Sequence, residues 1–98
     1  MEISKSRKDS VLNVELSGHL DTLTSKDLEA SLSEEEKGLT DIIFDFKKVD
    51  YISSAGLRVL LAYSKLLKGK EHIVINNAND VIKEIFKVTS FENFVTLK

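Results

Sequence analysis

Hydrophobic and polar positions alternate along Val11–Leu16, with Leu12, Val14 and Leu16 on one side and Asn13 and Glu15 on the other. Period two is the signature of a half-buried strand. Ile3 to Arg7 reads as a shorter, weaker strand, and Lys8-Asp9-Ser10 supplies turn residues between the two. A connection this short joins antiparallel neighbours. Gly18 is expected to end the second strand. From Ser25 to Lys37 the period becomes helical, with a thin apolar stripe of Leu28 and Leu32 and Ala30 beside it. Thr24 reads as the N-cap, Asp27 completes a variant capping box, and Leu23 with Leu28 forms a hydrophobic staple. Glu34-Glu35-Glu36 opposes the helix dipole, so a frayed, solvated end is expected there, with Gly38 as the left-handed stop.

Ile42 to Phe46 is nearly continuous and β-prone, as suits a central parallel strand buried on both faces. A helical pattern runs from Ser54 to Lys68 and stops at Gly69. His72 to Ile75 is the next buried strand. Asn79 or Asn77 caps a last helix with Val81, Ile82, Ile85 and Val88 inward, and Phe94 to Leu97 closes with a short strand. Strands alternating with helices give βαβ units with right-handed crossovers. The fold class expected is therefore α/β. One domain over residues 1–98 holds a mixed, mostly parallel sheet of about five strands, with an antiparallel first strand and three or four helices.

Composition narrows the chemistry. Ninety-eight residues with 42% hydrophobic content suffice for a modest core. A formal net charge of -2 provides no basic field for nucleic acid or an anionic membrane. The absence of Cys excludes disulfides, thiol catalysis and thiolate metal sites, and two histidines, His19 and His72, leave little for any other metal site. No cofactor is expected. No signal peptide opens the chain and no apolar run approaches the roughly 18 residues of a membrane span, so a cytoplasmic location is expected.

The junction at Ser53-Ser54 carries the most specific chemistry. A serine just before a helical run can cap it by accepting from an open N–H. Most serines so placed do nothing more. The same end of the helix is electropositive, so a phosphate added to Ser54 would be held there. Ser54 is thus a candidate cap and a candidate switch. The Gly18–Thr24 and Val49–Ser54 loops both leave strand ends on the side where ligands of such sheets gather, which makes Asp21 and Ser54 candidate neighbours. Along the helix, Ser54, Arg58, Leu61, Lys65 and Lys68 share one stripe, which reads as a partner surface with an apolar centre and a charged rim.

The run Tyr51-Ile52-Ser53-Ser54-Ala55-Gly56-Leu57-Arg58-Val59-Leu60-Leu61 resembles the phosphoacceptor segment of the STAS family, the anti-sigma factor antagonists. Leu16-Ser17-Gly18-His19-Leu20-Asp21-Thr22-Leu23-Thr24 resembles that family's other signature, a Gly-x-Leu-Asp turn before the first helix. The resemblance implies a non-enzymatic switch. The unphosphorylated protein would bind an anti-sigma factor serine kinase and free a sigma factor; phosphorylation at Ser54 would end binding; a phosphatase would reset it. Together with the stripe read from helical spacing, it gives an expected partner surface of Asp21, Thr22, Ser53, Ser54, Arg58, Leu61 and Lys65. The charge balance speaks against nucleic-acid or direct membrane contact, and a monomer when free is expected. The pattern usually has Asp before the acceptor. Here Ser53 stands there, which makes Ser53 the second-choice acceptor and touches kinase recognition; Ala55 replaces a commoner hydroxyl residue. Two other readings stand beside this one. A constitutive STAS adaptor in a lipid-transport or stress-signalling complex would use Ser54 only as a cap. A hydrolase would use Ser54 as nucleophile, His19 as base and Asp21 as orienter, but no Gly-x-Ser-x-Gly elbow supports it.

Overall fold

In the computed structural model, which describes residues 1–98, the alternating apolar positions line up across a five-stranded sheet. Strands β1 (Glu2–Lys8) and β2 (Val11–Leu20) form the antiparallel hairpin. Strands β3 (Asp41–Ile52), β4 (Ile73–Asn76) and β5 (Thr96–Leu97) follow in spatial order, each parallel to the last. Helices α1 (Thr22–Ser33), α2 (Ser54–Leu66) and α3 (Asp80–Val88) are the crossovers, and single 3-10 turns occupy Lys70–His72 and Phe91–Asn93.

Register makes the core. Leu12, Ile42 and Ile73 pair across three strands, and Val14, Phe44 and Ile75 form the next row but one. All six are buried. The intervening rows, Asn13–Ile43–Val74 and Glu15–Asp45–Asn76, are half-buried or exposed. Three successive right-handed crossovers advancing in one direction put every helix on the same side, so β3 is covered on one face only. The expectation of burial on both faces is corrected accordingly: the run Ile42–Phe46 is an alternating strand whose outward positions happen to include Ile43.

Four local expectations also change. Gly18 does not end β2. It lies at the second of two register irregularities, with φ 109°, and the strand goes on to pair Leu20 with Ile52. Helix α1 starts earlier, with Asp21 rather than Thr24 as its cap. Leu23 is then exposed and no staple forms. The acidic triplet lies beyond the end of α1 and is pinned. Lys5 Nζ donates to the Ser31 carbonyl and to Glu34, each at 2.9 Å, and Arg7 donates to the carbonyls of Glu35 and Lys37. Cations from β1 thus answer the negative C-terminal end of α1. In α3, capped by Asn79, Ile82 and Phe86 are buried and Ile85 packs half-buried against the core, while Val81 and Val88 face outward.

Candidate functional site

Because β2 and β3 are parallel, their carboxyl ends meet at one edge of the sheet. The Ser53 N–H donates to the Leu20 carbonyl at 2.8 Å, which ties the two exits together and sets the starts of α1 and α2 side by side. Asp21 and Ser54, expected as neighbours, therefore belong to adjoining helix starts. Gly56 allows the close approach: a Cβ there would stand 2.8 Å from both Leu20 and Ile52 side chains. The first turn of α2 rests on the strand ends with no room for another carbon.

The two serines have separate positions. Ser53 is the N-cap, with extended backbone, and its Oγ accepts from the Gly56 N–H at a long 3.4 Å. Ser54 is the first helical residue and its side chain is exposed. The expectation that Ser54 caps α2 is corrected: the chain leaves the β conformation one residue earlier in the helix count, at the Leu20–Ser53 hydrogen bond. The positive end of α2 thus meets a neutral cap and a neighbouring free hydroxyl.

At the start of α1 the balance differs. Asp21 accepts from the N–H groups of Leu23 and Thr24, at 3.0 and 2.9 Å, and its own N–H donates to Thr24 Oγ1 at 2.8 Å. The Thr24 N–H above all, helped by the Thr24 hydroxyl and the Leu23 N–H, holds the Asp21 carboxyl below its ordinary range. Thr22 is exposed at the first helical position. His19 lies 2.6 Å from Asp50, with both side chains exposed. His19 is thus partnered by Asp50, and Asp21 is turned onto its own helix. The Ser54–His19–Asp21 relay of a hydrolase is not assembled.

Further along α2, Arg58 and Lys65 are exposed, but Leu61 is half-buried against the core, and Lys68 lies past the helix with φ 65°. The expected apolar centre of the stripe is therefore displaced. Exposed apolar surface on this helix lies one face over, at Ala62 and at Leu66, which is 50% exposed. The spacing Ala55, Val59, Ala62, Leu66 is the signal in the sequence that marks this second stripe. None of the helices is long and apolar enough to cross a membrane.

Comparison with known proteins agrees with this geometry. The model of the STAS domain matches residues 2–98. The Bordetella bronchiseptica protein named "Putative anti-sigma factor antagonist BtrV" is 31% identical over 93 residues, covering 93% of this chain and 80% of that protein. Among solved structures, the Bacillus cell fate determinant SpoIIAA in its phosphorylated form superposes with a TM-score of 0.75 at 16% identity, covering 99% of this chain and 91% of that one. An anti-sigma factor antagonist from Mycobacterium paratuberculosis gives a TM-score of 0.81 at 19% identity, with coverage of 98% and 83%. At such identities the structures speak for the fold alone. The family model, spanning all but the first residue, and the Bordetella relative carry the conclusion: the chain belongs to the STAS domain family.

Proposed function

We propose that this chain is an anti-sigma factor antagonist whose binding is switched by phosphorylation of Ser54. The observation that carries the reading is the exposed Ser54 side chain at the start of α2, left free because Ser53 does the capping. A phosphoryl group there adds about -2 of charge at neutral pH. The dipole of α2 and Arg58, one turn on, favour that charge within the chain. To a docked protein the same charge, beside the Asp21 carboxylate, is repulsive. The partner is an anti-sigma factor that is also a serine kinase, and a phosphatase restores the hydroxyl. The chain itself is a non-enzymatic, cytoplasmic single domain. The name of the Bordetella relative supports the antagonist assignment. Ser53 is the weaker acceptor, being half-buried with its Oγ engaged by Gly56.

The test is labelling. The chain captures its kinase partner from the source cell, ATP is added, and the modified residue is identified by peptide mass spectrometry. Label is expected on the wild type and on Ser53→Ala, and none on Ser54→Ala. Persistence of the label on Ser54→Ala would contradict the assignment. A neutral serine where the family usually places Asp favours a second reading, a constitutive adaptor. Ser54 unmodified in protein from its native cell under every growth condition would favour that reading instead.

A further inference from the structure

Helices α1 and α2 both return from the carboxyl edge of the sheet, so they run side by side in the same direction. Small residues of both helices, Ala55 and Ala62 of α2 and Ala30 and Ser33 of α1, line the gap among longer polar side chains, with half-exposed Leu66 at the far end. Small side chains leave an open groove. It consists of two confluent cavities of about 280 and 510 Å³ that share Lys26 and Glu29. From Ala55 to Leu66 the floor extends about 16 Å, about three helical turns.

The groove is polarised along its length. Arg58 lines only the half next to the start of α2, whereas Lys26 lines both halves. Glu36 lines only the far half, with Glu29 between. Glu36 is fixed there, since the Tyr63 hydroxyl donates to it at 2.6 Å, and burial together with that carboxylate keeps the phenol protonated well above its ordinary range. The dipole of α2 adds in the same sense, positive toward Ser54 and negative toward Leu66, while the Asp21 carboxylate already answers the positive end of α1.

We propose that this groove receives an amphipathic helix of the protein partner, lying antiparallel to α1 and α2, with its acidic C-terminal end toward Ser54 and its basic N-terminal end over Glu29 and Glu36. A third helix fits between two parallel ones by setting its apolar ridge into their groove. The antiparallel direction matches the dipole of α2 and the order of charge from Arg58 to Glu36. The proposal rests on the switch reading and supplies its geometry. A phosphoryl group on Ser54 reverses the sign of the end that attracts the acidic residues, so the charge change falls where the partner helix is most sensitive to it.

Two synthetic helices test this. Both carry one leucine stripe; the first has lysines at its N-terminal end and glutamates at its C-terminal end, and the second has these exchanged. Each is titrated into the isotopically labelled full chain and followed by NMR. Binding of the first is expected to shift Ala30, Ala62 and Leu66 and to be about tenfold tighter than the second, as two or three screened ion pairs would give. Ser54→Glu is expected to erase that preference, and Leu66→Glu, at an exposed position, to abolish binding of both. Equal affinities, no binding, or shifts elsewhere would overturn the proposal. The same shifts on raising the concentration of the chain alone would overturn it in favour of a second copy as occupant. Kinase labelling of Ser54 reads the modified residue whatever surface the partner docks on, so failure here and failure of the phosphoacceptor assignment are separable.

Discussion

At the start of α2 the extended backbone of Ser53 turns its hydroxyl onto the Gly56 N–H, while Ser54 has helical backbone and an outward side chain. The 3.4 Å capping bond is weak, so Ser53→Ala should cost about 0.5 kcal/mol in urea unfolding, the low end for a lost cap. It should leave phosphorylation in place. Gly56→Ala should cost more, about 1–3 kcal/mol, because its methyl group meets Leu20 and Ile52 at 2.8 Å. An unchanged unfolding midpoint would mean that the first turn of α2 does not rest on the strand ends. The junction of two serines was legible in the sequence. Which serine caps was not, because that depends on where β3 hands over to the helix. The Ser53–Leu20 hydrogen bond between distant segments settles it.

Among the elements, α1 shows how competing local signals are resolved. Asp21-Thr22-Leu23-Thr24 and Thr24-Ser25-Lys26-Asp27 both have a capping spacing. The first is used because β2 continues through its glycine to Leu20, and the helix must begin at once. The Asp21 carboxyl, held down by the Thr24 N–H, makes stability depend on acid. Its folded-state value is lowered, so its contribution is present above the unfolded value and is lost as pH falls through the folded one. Asp21→Asn keeps a capping oxygen but no charge. Thermal melts between about pH 5 and about pH 3 should therefore fall less steeply for Asp21→Asn than for the wild type. Parallel slopes would show that the carboxylate is not better held in the folded chain. Asp45, lowered by the Lys47 N–H and Asn77, retains its share of the acid sensitivity in both proteins. In α3 the apolar residues outnumber what the core covers; Asn79→Ala should cost about 1 kcal/mol through the lost cap on Ile82.

For the whole molecule, strand direction and the hairpin followed from the alternation of elements and the length of their connections, while the strand order is read from the structure. The bare face of the sheet did not. Ile43 and Val74 gave β3 and β4 the look of strands buried on both sides, and only the register shows them sharing rows with Asn13 and, one step along, with Glu15 and Asp45. The clamp of Lys5 and Arg7 on the end of α1 was equally hidden, because it joins residues some thirty positions apart. Helices gathered on one side leave both helix starts, the Ser54 side chain and the polarised groove on a single continuous surface. The proposed site residues Asp21, Thr22, Ser53, Ser54, Arg58, Leu61 and Lys65 came from motif and spacing; the exposure of Ala62 and Leu66 beside the gap needed the packing of α1 against α2.

The proposed switch is tested most directly by the affinity of the chain for the proposed kinase partner before and after stoichiometric phosphorylation, measured by calorimetry without ATP. A fall of at least about tenfold is predicted on modification of Ser54, with Ser54→Asp weakened in the same direction. Equal affinities for the modified and unmodified chain would contradict the account.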